Sequence, residues 1–232
     1  MSRNYIILLF KRGKECAILL AALLALGFLP NIAGAAPAKV WPNNLKIFDT
    51  MDFRSPIKGL PQWQRVMKRG DSEIALLSGC KAGDKNCPAA AARWQKLMGE
   101  IKDQPPMKQL QAVNKFFNAW PYRLDKDVYG VNDYWATPLE FVRNSGDCED
   151  YAIVKYYALK RIGWDPQNMR IVAVMDKILN LGHAVLAVYL DGEVYLLDNQ
   201  TAGVFPNGRF KHYVPQYSVN EFYKWAHVPA RR

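Results

Sequence analysis

Cys148 stands in the run Gly146-Asp147-Cys148-Glu149-Asp150-Tyr151-Ala152, a free-thiol candidate with an acid on either side. Two further residues complete a possible reactive set: His183 in Gly182-His183-Ala184-Val185, and Asp198 in Leu197-Asp198-Asn199. A thiol, an imidazole and a carboxylate are what nucleophilic catalysis by cysteine requires. The imidazole takes the thiol proton and later gives it to the leaving group, while the carboxylate fixes the ring tautomer. Each residue alone has a plainer reading: a small buried hydrophobe, a satisfied strand histidine and a turn cap. His212 and His227 are competing bases, but nothing around them places either beside Asp198.

The acids around Cys148 are a second signal. Asp147, Glu149 and Asp150 crowd the thiol with negative charge, which raises its pKa and works against the thiolate. Asp147 as helix cap and Asp150 as third-position acid have an ordinary structural explanation. A hard cation held by carboxylate oxygens is the sharper one, and calcium suits such ligation.

These side chains must be positioned by their elements. Thr137-Pro138-Leu139-Glu140 reads as a helix start, with Thr as cap, Pro at the first position and Glu at the third. That short helix should end near Asn144, Ser145-Gly146 should turn the chain, and Asp147 should cap a helix from about Cys148 to Arg161, stopped by Gly163. Residues 169–175, 183–190 and 193–198 are rich in β-branched and aliphatic residues and read as strands. Asp191-Gly192 between the last two signals a two-residue hairpin. In that register Leu190 faces Glu193 and Val185 faces Asp198, so Asp198 is the diagonal same-face neighbour of His183, at a Cα separation of about 7 to 8 Å. A three-residue loop would send Asp198 to the opposite face.

Upstream, helical spacing of apolar residues predicts helices over 62–78, with Gly70 and Asp71 as a potential interruption, over 89–102 and over 107–120. Residues 39–61, with Pro42, Pro56, Gly59 and Pro61, read as an irregular lead-in. The expected architecture is α/β (α+β): a mainly helical lobe over 36–130, then the catalytic helix and an antiparallel sheet over 131–232. Trp135 is a candidate lining residue or a core residue.

The first 35 residues stand apart. Lys11, Arg12 and Lys14 precede an apolar run from Cys16 to Leu29 and the small residues Ala33-Gly34-Ala35, the pattern of a cleaved secretory signal. The rival reading is a membrane anchor, for which the run is short of the roughly 20 apolar residues a spanning helix needs. Cleavage after Ala35 leaves 197 residues of the 232, and lowers the formal charge from +10 to about +7. A moderate basic excess on an exported protein favours acidic partners or envelope surfaces. No zinc-finger, helix-turn-helix or RNA-recognition signature points to nucleic acid. The composition, 50% hydrophobic and 12% aromatic, excludes a disordered or collagen-like chain. Cleavage also leaves three cysteines, and the turn-forming segment between Cys80 and Cys87 favours a local disulfide, with Cys148 the odd thiol.

The stretch Asp133-Tyr134-Trp135-Ala136-Thr137-Pro138-Leu139-Glu140-Phe141, with the runs around Cys148, His183 and Asp198, resembles the bacterial transglutaminase-like cysteine proteinases of the LapG type over most of the mature chain. The resemblance implies a papain-like, transglutaminase-like fold, with Cys148 as nucleophile, His183 as base and Asp198 as orienting acid. It also implies calcium at Asp147 and Glu149, with Asp150 a weaker addition. The implied activity is periplasmic cleavage of a large repeat-containing surface adhesin near its N-terminus, often at an Ala-Ala pair, which releases the adhesin and promotes biofilm dispersal. The implied control is an inner-membrane cyclic-di-GMP receptor of the LapD type, acting through its periplasmic domain. The same triad also serves acyl transfer to amines, as in transglutaminases, and hydrolysis of peptidoglycan peptides. A calcium-responsive binding module with an inert Cys148 is the non-enzymatic alternative.

Overall fold

A computed structural model describes residues 41, 46–81, 84–85 and 87–229; the expected secretory signal over 1–35 lies outside the described residues. Seven strands form one antiparallel sheet in the order β1-β7-β6-β2-β3-β4-β5. They are β1 Thr50–Pro56, β2 Met169–Asp176, β3 Leu181–Leu190, β4 Glu193–Leu197, β5 Phe205–Pro206, β6 Tyr213–Val219 and β7 Tyr223–Pro229. The helices are α1 Pro61–Gly79, α2 Ala91–Ile101, α3 Pro106–Phe117, α4 Asp125–Tyr129, α5 Pro138–Asn144 and α6 Cys148–Arg161.

Period-two alternation gives the sheet two apolar faces. Ile171, Leu186, Val188 and Leu197 pack with the helices in the main core, whereas Val172, Val185, Ala187 and Leu196 turn the other way, into a second cluster with Trp41, Ile47, Phe210 and Tyr213. The lead-in expected over 39–61 is in fact partly ordered. Its residues 50–56 form β1, pairing antiparallel with β7 from Thr50↔Pro229 to Pro56↔Tyr223.

α6 is buried along its whole middle, every residue from Asp150 to Leu159, because it lies against β2 and β3 with α1, α3 and α5 around it. Gly70 does not interrupt α1. A Cβ there would stand 2.2 Å from the Tyr157 ring, so the glycine is what lets α1 pass this close to α6. The third predicted helix ends at Phe117, three residues short of the expected end, and Trp135 is a core residue against Trp63. Cys80 and Cys87 form the expected disulfide. No helix among the described residues is long and apolar enough to cross a membrane.

Candidate active site

The local rules that build the site act as read from the sequence. Thr137 and Glu140 form a capping box at the start of α5, and Asp147 caps α6, whose Asp150 carboxylate accepts the Asp147 N–H at 3.1 Å. This leaves Cys148 at the first position of α6, where backbone N–H groups have no intrahelical acceptor. The hairpin is a two-residue turn with Asp191 and Gly192 both at positive φ, and its register runs from Leu190↔Glu193 to Leu186↔Leu197. Asp198 therefore comes beside His183, with His183 Nε2 2.9 Å from Asp198 Oδ1.

Both members of that pair are buried, and Asp198 is held on all sides. Its Oδ1 also accepts the Gln200 N–H at 2.9 Å, and its Oδ2 accepts the Tyr213 hydroxyl at 2.7 Å. Burial pushes the Asp198 carboxyl up, but the hydrogen bond and charge of His183, the Gln200 N–H and the Tyr213 hydroxyl outweigh it and keep the pKa below the usual carboxylate range. α6 packs against β3, and the backbone N–H of Ala184, next to His183, acts to lower the Cys148 thiol's pKa. Cys148 is half-buried and is the free cysteine among the described residues. The fold thus brings His183 onto Asp198 and sets α6 against the strand that carries His183. His227 is elsewhere, bonded to Asp52 and Ser218, and the His212 ring lies against Phe210 and Tyr213.

The acids around the thiol form a wider cluster than the sequence motif shows. Asp147, Cys148 and Glu149 place ligand atoms within 4.8 Å of one another, as do Asp125, Asp133 and Glu149, and Asp125, Asp147 and Asp150. Burial, then Glu149, pushes Asp147 up to about 8, and burial raises Asp125 to about 6. Burial, the charge of Glu149 and its 3.1 Å contact also push the Cys148 thiol up, with Asp147 adding to this and the Ala184 N–H opposing it. The helix start alone does not offset these carboxylates.

The donor set fits a hard cation. Asp147 Oδ1 and Asp125 Oδ1 are buried without a hydrogen-bond partner, which is costly unless something else satisfies them. Carboxylate oxygens are the ligands calcium takes. Asp150 fits less well, since its oxygens already accept the Ala136 N–H at 2.6 Å and the Asp147 N–H. Asp125 and Asp133 were not singled out as ligands from the sequence. The available signal for Asp133 was its place at the head of the Asp133-Tyr134-Trp135 run; Asp125 has none, because only the fold brings α4 to α6. Tyr213 was missed for the same reason.

Comparison with known proteins follows the same lines. Residues 67–232 match the family model for bacterial transglutaminase-like cysteine proteinases (BTLCP). Calcium-bound LapG from Legionella pneumophila is 32% identical with a TM-score of 0.58, the match covering 67% of this chain and 86% of that one. The EGTA-treated form of the same protein is 29% identical with a TM-score of 0.56, covering 74% of this chain and 87% of that one. No curated protein sequence matches. With a family model matched over most of its length and a relative 32% identical along most of that relative's chain, this chain belongs to the bacterial transglutaminase-like cysteine proteinases, enzymes that hydrolyse peptide bonds.

Proposed function

We propose that the protein is a calcium-dependent periplasmic cysteine endopeptidase that cuts a large repeat-containing surface adhesin near its N-terminus, releasing it and promoting biofilm dispersal. The observation that carries the chemistry is an imidazole, on the strand that α6 packs against, 2.9 Å from a buried carboxylate, with a half-buried thiol at the start of α6. Asp198 engages His183 through Nε2, which assigns that nitrogen the proton and leaves Nδ1 to take the proton of Cys148. The Cys148 thiolate attacks the scissile carbonyl carbon, forming a C–S bond as the carbonyl electron pair moves to oxygen. Collapse of this intermediate breaks the C–N bond, and the imidazolium of His183 protonates the departing amine. Water, giving a proton to His183, then hydrolyses the thioester.

Asp147 and Glu149, joined by Asp125 and Asp133, would hold calcium, with Asp150 a weaker addition through its carboxylate. When bound, calcium supplies positive charge that offsets the carboxylates next to the thiol. Export is supported by the basic and apolar pattern of residues 1–35. Control by a LapD-type cyclic-di-GMP receptor in the inner membrane, binding through its periplasmic domain, rests on family membership.

The test incubates residues 36–232 with the N-terminal segment of such an adhesin, in calcium and in EGTA. Mass spectrometry should find a new substrate N-terminus in calcium only, and none with Cys148→Ala. Crosslinks between glutamine and lysine side chains would assign transfer rather than hydrolysis. Cleavage that survives Cys148→Ala would overturn the reading.

A further inference from the structure

A tetrahedral adduct on Cys148 needs donors for its oxyanion, and the Cys148 backbone N–H at the start of α6 is one of them. Tyr122 stands beside it. The Tyr122 backbone forms a parallel bridge with Gly146, and the N–H of the next residue, Arg123, donates to the Gly146 carbonyl at 2.9 Å. Its ring stacks on that of Tyr151, with centroids 6.3 Å apart and planes 14° from parallel. Tyr151 is itself fixed, buried in the core with its hydroxyl on the Trp120 carbonyl at 2.6 Å. These contacts hold the Tyr122 phenol over the first turn of α6, with its hydroxyl near the Cys148 backbone N–H. The residue is nonetheless 52% exposed, so an arriving peptide can reach it.

We infer that Tyr122 is a catalytic residue whose hydroxyl joins the Cys148 backbone N–H in holding the oxyanion while Cys148 is acylated and deacylated. The inference rests on the reading of Cys148 as nucleophile. In the resting site the phenol oxygen lies near the Cys148 N–H. When the thiolate adds to a carbonyl carbon, the new oxyanion takes that N–H. The phenol, protonated at neutral pH and able to rotate its O–H, donates to the same oxygen. No proton is transferred, and both hydrogen bonds relax when the C=O bond re-forms with loss of the amine.

Two small reagents separate this role from a structural one. Iodoacetamide alkylates a thiolate by displacing iodide at a saturated carbon, with no oxyanion. p-Nitrophenyl acetate acetylates it through a tetrahedral intermediate and releases p-nitrophenolate. With calcium present, Tyr122→Phe should slow acetylation of Cys148 about 100-fold, the effect of losing one oxyanion donor, while alkylation stays within twofold. Acetylation at the wild-type rate would overturn the role, as would equal losses in both reactions, which would assign Tyr122 to thiol activation or packing. Tyr122→Leu, which also removes the ring stacked on Tyr151, separates the hydroxyl from the ring: acetylation should fall no further than in Tyr122→Phe, and a further fall confined to Leu would assign the effect to stacking. Failure of the nucleophile reading looks different: wild-type Cys148 would then react with both reagents no faster than in the urea-unfolded chain.

Discussion

The sheet carries two imidazole–carboxylate pairs, and the proposed function uses only one. His183 lies 2.9 Å from Asp198, and His227 Nδ1 lies 2.8 Å from Asp52, with His227 Nε2 a further 2.9 Å from the Ser218 hydroxyl. By distance alone the second set, Ser218-His227-Asp52, is the better imitation of a hydrolytic triad. Ser218 is completely buried, however, and lies near the end of β6, paired with β2 on one side and β7 on the other, where its backbone belongs to the sheet. Cys148 by contrast is partly open and begins a helix, where the first N–H groups have no intrahelical acceptor. The carboxylates differ too. Asp52 is held by Arg170 at 3.0 Å, a guanidinium itself stacked 3.9 Å from both Trp41 and Trp225, whereas Asp198 is held by neutral donors besides His183. A triad-like chain of hydrogen bonds becomes a site only where a substrate carbonyl has access and unpaired donors await its oxygen.

The comparison is broken most directly by exchanging the two histidines' fates. His183→Ala should lower the rate of peptide hydrolysis about 10⁴-fold, as expected for losing the base of such a triad, and cost about 1–2 kcal/mol in unfolding, since it takes a partner from the buried Asp198. His227→Ala should keep the rate within twofold per folded molecule but destabilise the fold by about 2 kcal/mol, since it orphans buried partners on both sides. Steady-state kinetics beside thermal unfolding reads both. Loss of hydrolysis in Ser218→Ala with retention in Cys148→Ala would reverse the assignment.

Next in size is the charge held by Asp52. Burial pushes the Arg170 guanidinium down to about 10 despite Asp52, so the ion pair is what keeps this cation tolerable between the two tryptophans. Asp52→Asn should cost about 3–5 kcal/mol in denaturant unfolding, the cost of leaving a buried charge without its partner. Asp198→Asn should cost far less stability and far more activity.

The acidic cluster supplies a third contrast, in the sign of its pH dependence. Asp147, at about 8, and Asp125, at about 6, keep protons in the folded, calcium-free chain that the unfolded chain has released above about pH 4. Their contribution is fully present below that pH and is lost as pH rises through 6 and 8. The melting temperature in EGTA should therefore fall between pH 5 and 8 through these groups. Calcium at 100 times its Kd should add about 2.7 kcal/mol, and at a fixed calcium concentration the gain should grow with pH because the ion needs ionised ligands. Asp52 runs the other way. Burial raises it, but His227 and Thr50 hydrogen bonds and the Arg170 charge hold it low, so its stabilisation is present at neutral pH and lost in acid.

How far these features were legible in the sequence depended on how local their causes are. α5, α6 and the β3–β4 hairpin followed from caps, a glycine stop and the Asp191-Gly192 turn, and the hairpin register alone brought Asp198 to His183. β1 was not legible. It is an edge strand with Asp52, Arg54 and Pro56 in place of an alternating apolar run, and its partner β7 lies more than 160 residues away in the chain. Tyr122, Asp125, Asp133 and Tyr213 were hidden likewise, since each reaches the site from a different segment and no local spacing ties any of them to Cys148.

The smallest expected effect isolates one hydroxyl in each pair. Tyr213 donates to Asp198 at 2.7 Å, and the Thr50 hydroxyl lies 2.8 Å from Asp52, so Tyr213→Phe and Thr50→Val each strip a carboxylate of a neutral neighbour with little change of shape. Both should cost about 1 kcal/mol in unfolding. If Asp198 orients the reacting imidazole, Tyr213→Phe should also lower kcat about five- to tenfold with KM unchanged, because a looser carboxylate lets His183 leave its working tautomer and direction. Thr50→Val should leave kcat alone, since Asp52 keeps Arg170 and its imidazole serves no reaction. Equal kcat in the two variants would mean that Asp198 needs no help from Tyr213, and that the functional difference between the pairs lies in access to Cys148 rather than in how firmly each carboxylate is held.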